Sequence, residues 1–312
     1  MGSLFLVVVG LALFETISSV DNAIINAEVL TTMGQKARRW FLTWGMFIAV
    51  FLIRGLLPWI IVYAFNPALG FIGSLTATFS NDPSVIASIE QSAPLLLVAG
   101  GMFLLLLFFH WLFIEEKHFG LPHTEQFFLK QGVWFYAVAS ILVLVISWFA
   151  LKQEPMMAFA TLIGSTAFFI THGFKMNAEK AEKELISGTS KRSDMSKLLY
   201  LEVIDAIFSI DSVLGSFAFT MSVPLILIGN GVGAVMVRQI TMGNIERIKK
   251  YVYLKNGAMY SILCLGVIMT LHAFHVDVPE YISPVVTIIV IGYFLYKSWR
   301  KVKNEEKATH TV

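Results

Sequence analysis

Glu15-Thr16-Ile17-Ser18-Ser19-Val20-Asp21-Asn22 sits inside an otherwise apolar run from Leu4 to Leu30. Two carboxylates, three hydroxyls besides an amide thus occupy the middle of a segment long enough to cross a bilayer. An Asp or Lys at the centre of a spanning helix costs roughly 2.5–3.5 kcal/mol, so such groups persist only with a partner or a task. The pattern returns 190 residues later: Ser19, Asp21 and Asn22 fall on Ser209, Asp211 and Ser212, and Glu15 falls on Asp205. Glu202 adds a carboxylate one turn earlier.

The rest of the chain has the composition this stretch demands. Of 312 residues, 56% are hydrophobic and 14% charged, and the mean hydropathy is +0.72. Soluble domains carry about 25% charged residues, so an all-α polytopic membrane protein is expected. A spanning helix takes about 20 mostly apolar residues. Nine stretches qualify, near 3–30, 40–65, 93–114, 133–151, 156–175, 197–220, 223–243, 256–274 and 281–300. The one cysteine, Cys264, lies in an apolar segment and reads as a small buried hydrophobe, which excludes a disulfide framework and a thiolate metal site. The first span has no basic stretch before it and holds Glu15 in its core, so it reads as a retained helix rather than a cleaved signal.

Lysine and arginine set the orientation. With the N-terminus outside and the C-terminus inside, 20 of the 23 basic residues fall in cytoplasmic segments. Only Lys152 lies outside, and Arg54 and Arg238 lie within helices. The organisation expected is residues 1–176 as a first half plus a connector helix, 177–196 as a cytoplasmic linker, 197–302 as a second half, and 303–312 as a cytoplasmic tail. The external loop 66–92 contains no Lys or Arg and includes Asn81-Asp82-Pro83, a turn signal.

Under this count the first motif helix runs inward and the second outward, so the halves form an inverted repeat of four helices, a connector and four more. Inverted repeats whose polar, broken helices meet at the midplane are the architecture of secondary transporters. Weaker echoes follow: Gly45 to Arg54 and Gly229 to Arg238 share a spacing, and Gly101-Met102-Phe103 parallels Ala258-Met259-Tyr260. At 100° per residue, Glu15, Ser19, Asn22 and Asn26 form one stripe, as do Glu202, Asp205, Ser209 and Ser212. Asp21 and Asp211 stand about 100° off these stripes. Either the helices unwind near Ser-x-Asp and turn the aspartates inward, or Arg54 and Arg238 claim them; the sequence leaves both readings standing.

Glu15, Ser19, Asp21, Asn22, Glu202, Asp205, Ser209, Asp211 and Ser212 are the candidate metal ligands, with Arg54 and Arg238 as counter-ions or gating residues. Oxygen donors without thiolate or imidazole suit Mg²⁺, Ca²⁺ or Mn²⁺ over Zn²⁺ or Cu⁺. Closely spaced carboxylates take up protons when a cation leaves, so metal/proton exchange is physically natural. Asn26 and Asn230 read as hydrogen-bonding glue between helices, and Gly229-x-x-x-Gly233 as a close-packing face. His110 and His172 read as interfacial residues, and His272, His275, Asp277 and Glu280 as ordinary loop polarity.

Glu15-x-x-x-Ser19-x-Asp21-Asn22-Ala23, together with Glu202-x-x-Asp205-x-x-Phe208-Ser209-x-Asp211-Ser212, resembles the TerC family of integral membrane proteins. Lys255-Asn256-Gly257-Ala258-Met259-Tyr260 is similar to a later helix of that family. That family is named for tellurium resistance, and members are associated with manganese export. Its core has about seven spans, so nine would make this chain similar to a longer subgroup. The resemblance implies a transporter exporting Mn²⁺, or Ca²⁺, with the acidic and hydroxyl residues of both motifs as ligands and no resident cofactor. The expected setting is the cell inner (plasma) membrane, with divalent metal and lipid as partners, no nucleic acid, and a second copy or other membrane proteins as associates. An alternative is a non-transporting partner in metal or tellurite resistance, or in metal delivery to secreted proteins, for which the external loop would serve. Asp21 and Asp211 on separate helices also fit an intramembrane aspartyl hydrolase, but Glu15, Asp205 and Glu202 are superfluous to it, and no enzyme is expected.

Overall fold

Apolar runs with few internal glycine or proline breaks leave the backbone no partner in a bilayer except itself, so the chain is expected to be helical. The computed structural model describes residues 2–45, 48, 54–76, 83–186, 193–243 and 245–309, and it is helical throughout, with no strand among them. The helices are α1 (Gly2–Ser18), α2 (Val20–Thr31), α3 (Gln35–Trp40), α4 (Arg54–Phe65), α5 (Gly70–Thr76), α6 (Pro83–Phe113) and α7 (Pro122–Lys130). They continue as α8 (Phe135–Gln153), α9 (Pro155–Ile186), α10 (Asp194–Ser216), α11 (Val223–Gly243), α12 (Ile245–Lys249), α13 (Leu254–Ala273) and α14 (Ile282–Thr309).

Five helices among the described residues are long and apolar enough to span, at Gln91–Phe113, Gly132–Gln153, Pro155–Ala178, Leu254–Ala273 and Ile282–Glu305. Counting each of two bent pairs as one span raises this to seven. The first pair is α1 with α2, bent by 49°; the second is α4 with the segment Pro67–Ser74, bent by 103°. In the second, the Trp59 indole N–H donates to the Phe71 carbonyl at 2.8 Å and to the Ser74 hydroxyl at 3.0 Å. The segment after α4 therefore folds back on it at this point. Its turn signal at Asn81-Asp82 lies outside the described residues.

Two other expectations meet differences. The helix α9 continues through residues 177–186, the first part of the stretch expected to be a cytoplasmic linker, because Ala, Glu and Lys are strong helix formers. Helix α10 is one unbroken rod, capped by Ser193, whose hydroxyl accepts from the Ser196 N–H at 3.3 Å. Its Lys197, Glu202, Asp205 and Asp211 make it too polar to count as an apolar span.

The core forms where α6 packs along α13 and α9, α1 along α11, and α8 along α9. Trp111, Phe14, Phe103, Phe135 and Phe168 are fully buried there. Several basic residues that read as topology markers close the C-terminal ends of helices. Arg38 donates to the carbonyls of Leu30 and Thr31 at 2.6 and 2.7 Å, finishing α2, and Lys117 donates to the Leu112 carbonyl at 2.9 Å, finishing α6. A cation there satisfies orphan carbonyls and complements the helix dipole.

The fully buried Glu125 anchors α7 to the bundle: it accepts from the N–H groups of Gly120 and Leu121 at 2.8 and 3.0 Å and from the Asn256 amide at 3.1 Å. Glu125→Ala strands these donors at about 1–3 kcal/mol each, so we expect a clearly lower thermal midpoint in detergent, whereas Glu116→Ala stays near wild type.

Candidate functional site

The first motif breaks where its hydroxyls compete with the helix ladder. Thr16 Oγ1 donates to the Ala12 carbonyl at 2.6 Å, and Ser18 Oγ donates to the Glu15 carbonyl at 3.2 Å. Back-bonding of this kind bends helices, and the bend falls at Ser19, whose φ and ψ are −91° and 1°. Ser19 Oγ donates to Glu15 Oε1 at 2.9 Å across the same turn. Glu15 itself is fully buried.

The two motifs meet directly. Asn22 Nδ2, just past the break, donates to Asp205 Oδ1 on α10 at 2.5 Å. Ser209 and Ser212 are buried close by in sequence, and their hydroxyls donate back along α10, to the carbonyls of Asp205 and Ser209 at 2.6 and 3.0 Å. Ser216 and Asn230 exchange a side-chain hydrogen bond of 2.9 Å, the inter-helix glue expected of Asn230. The first motif bends by 49° at Ser19 without unwinding, since the Ser19 N–H still donates to the Glu15 carbonyl at 3.1 Å and the Ala23 N–H to the Ser19 carbonyl at 2.9 Å. Asp21 stays half-exposed rather than turning inward, and α10 continues unbroken through the second motif.

Neither off-stripe aspartate turns toward a described arginine. Asp21 meets the Lys255 ammonium at 3.1 Å, and Lys255 also contacts Glu115. Asp211 contacts Lys175 of α9. Arg238 instead sits within electrostatic reach of Glu202 and Asp205, its guanidinium 4.6 Å from the centre of the Phe41 ring. The side chain of Arg54 lies outside the described residues. Lys175 and Lys255 are thus the residues that sequence reasoning missed; each looked like one more cytoplasmic cation at the end of a span.

The acids are therefore spread among cations rather than gathered into a cage. Among the described residues no three His, Cys, Asp or Glu side chains lie close enough to grip a metal together. Carboxylates in a low-dielectric interior repel one another, and ammonium or guanidinium partners relieve that repulsion. Buried oxygens nevertheless remain without a hydrogen-bond donor: Oδ1 of Asn22, Asn26 and Asp211.

Glycines bring backbone against the acids. At Gly233 a Cβ would lie 2.6 Å from Glu15 Cβ and 2.7 Å from the Ala12 carbonyl oxygen, and at Gly229 one would lie 2.5 Å from Leu11 Cβ. The Gly229-x-x-x-Gly233 face is the seam where α11 packs on α1. Gly45 ends a short π-helical turn, Phe41–Gly45, where a Cβ would meet Glu202 Oε1 at 2.2 Å. Gly233 of α11 thus abuts the helix of the first acidic motif, and Gly45 abuts that of the second.

On one side, Asp21, Glu116, Lys117, His118, Lys249 and Lys255 line a cleft of about 270 Å³. Burial pushes Lys117 down to about 8, against the opposing pull of Glu125 and Glu115. His110 and His172 pack with ring centres 3.9 Å apart, a pairing across α6 and α9 that no spacing in the sequence signals. His272 lies in the last turn of α13 rather than in the loop, and its Nε2 is 2.7 Å from the Val278 carbonyl oxygen, which ties the following segment back to the helix.

A helical bundle with five to seven apolar spans among its described residues, and with charged side chains paired inside it, defines a multi-pass integral membrane protein. The chain belongs to the family described as protein of unknown function (DUF475), whose model matches residues 20–305. It is 33% identical over 97 residues to an uncharacterized membrane protein, YceF, of Bacillus subtilis (strain 168), a match covering 31% of this chain and 37% of that one. It is 30% identical over 91 residues to an uncharacterized membrane protein, RP786, of Rickettsia prowazekii (strain Madrid E), covering 29% of this chain and 30% of that one. The chain thus spans about a third of the length of the curated relatives it matches. No solved structure matches.

Proposed function

We propose that this protein is a divalent-cation transporter of the cell inner membrane, exporting Mn²⁺ foremost. The observation that carries this reading is the Asn22–Asp205 hydrogen bond, which joins a broken motif helix to its repeat on a remote part of the chain. Broken helices meeting a second repeat are how secondary transporters build ion sites. The cargo would bind among Glu15, Ser19, Asn22, Glu202, Asp205 and Ser209, with Asp21, Asp211 and Ser212 flanking them. Buried Asn22 Oδ1, which lacks a donor, suits a hard cation that takes carboxylate, amide and hydroxyl oxygens. Arg238 would hold part of the site's negative charge when the cation is gone, and protons the remainder. The chemistry is transport rather than catalysis. In this reading the chain crosses the membrane nine times with its N-terminus outside, and its two halves are inverted.

Inverted vesicles carrying the protein are expected to take up Mn²⁺ in a saturable manner. Glu15→Ala and Asp211→Ala should each cut that uptake to background. Wild-type rates in both variants would remove the site assignment, and an absence of Mn²⁺, Ca²⁺ and Mg²⁺ flux in wild-type proteoliposomes would remove the transport reading itself.

A further inference from the structure

We propose that Lys255 is a tethered counter-cation that latches the cytoplasmic cleft, holding the place at Asp21 and Glu115 that a passing divalent cation must take. This rests on the transport reading for its purpose but on separate geometry for its existence. Lys255 Nζ lies 3.1 Å from Asp21 Oδ2 and contacts Glu115 Oε1 as well, so one ammonium sits between two carboxylates. Those carboxylates belong to different parts of the bundle: Asp21 to α2 just beyond the break, and Glu115 to the connection after α6. Lys255 itself is the second residue of α13. A single side chain therefore ties three elements together beside the cleft.

The tie is built to exchange. The three side chains are 36%, 46% and 36% exposed for Lys255, Asp21 and Glu115, and an ion pair so open to water is worth little. Another pair, Lys249 with Glu28 at 2.8 Å, joins the cleft wall to α2 further along. Two carboxylate oxygens within reach of one Nζ also lie within the span of a hard divalent ion's oxygen shell. A dication reaching the cleft could therefore replace Lys255 at Asp21 without a rearrangement of the helices. Asp21 sits one residue from Asn22, whose amide holds Asp205, so release of Lys255 frees the acid that neighbours the bridge between the motifs.

The test uses the full chain with Cys264→Ser and Ile24→Cys, since Ile24 lines the cleft. Labelling by a membrane-impermeant maleimide from the cytoplasmic side of inverted vesicles reads the latch without requiring transport. Lys255→Met should speed labelling about fivefold, the order that an exposed ion pair is worth, and Glu115→Gln should do the same without altering α13. Lys255→Arg should label like the parent. Mn²⁺ should speed labelling of the parent and leave Lys255→Met unchanged. Equal rates in the parent, Lys255→Met and Glu115→Gln overturn the latch, whatever the flux. Faster labelling in both variants with no Mn²⁺ uptake by any of them upholds the latch and removes the transport reading.

Discussion

Asp205→Asn is expected to abolish Mn²⁺ uptake while leaving the bundle folded. The substituted amide keeps an oxygen at the position where Asn22 Nδ2 now donates at 2.5 Å, so the bridge between the motifs survives. What is lost is the charge. Even outer-shell partners of a metal site are worth about 10–100-fold in affinity, and Asp205 is proposed as a direct ligand, so the loss in uptake at low Mn²⁺ should be at least that large. Arg238 keeps Glu202 within electrostatic reach, which limits the cost to stability. Measured together, uptake and thermal unfolding separate the two roles: a large drop in flux with a small shift in midpoint supports a ligand, whereas equal losses in both identify a structural residue. Asn22→Ala is the complementary variant. It keeps the charge and removes the bridge, and should lower both readouts.

Gly164→Ala is expected to be the most damaging single methyl in the protein. Helix α9 presses on α6 so closely that a Cβ at 164 would lie 2.1 Å from the carbonyl oxygen of Ala99 and 2.8 Å from its carbonyl carbon. These are backbone atoms and cannot rotate away. The neighbours Val98 and Met102 are fully buried, leaving no room for α6 to retreat. Overpacking of a core costs about 1–3 kcal/mol, and here the helices themselves must separate, so the loss belongs at or above the top of that range. Gly173→Ala on the same helix is the control, because nothing lies within 4 Å of a Cβ there. It should be neutral, or stabilising by up to about 1 kcal/mol from helix propensity. Denaturant unfolding in mixed micelles compares the pair; equal midpoints would show that the close α6–α9 contact does not form.

Much of the bundle is legible in the hydropathy of the chain. The spans near 93–114, 133–151, 156–175, 256–274 and 281–300 each coincide with an apolar helix long enough to span. The bends are less so. The break at Ser19 is foreshadowed by the clustering of Thr16, Ser18 and Ser19, but the same Ser-x-Asp pattern at Ser209–Asp211 leaves α10 straight. Hydroxyls bond back to ladder carbonyls three or four residues away in both helices, so back-bonding alone does not set the bend. What differs is Ser19, which turns to the Glu15 carboxylate. The amphipathic α7 and its buried anchor Glu125 left no mark in the sequence, because Glu125 is held by Asn256 from 131 residues away.

The sequence by itself determined that this is a membrane protein, that its acids recur in two motifs, and that Asp21 and Asp211 stand apart from the stripes beside them. Hydropathy, helical period and repetition are properties of neighbouring residues, and they can be read along a line. Only the tertiary structure decided which cation each acid meets: Lys255 for Asp21, Lys175 for Asp211, and Arg238 near Glu202 and Asp205. Those partners come from other helices, and their choice follows from which helices the fold packs side by side. In a low-dielectric interior the nearest opposite charge dominates, and nearness is a property of packing that no local pattern contains.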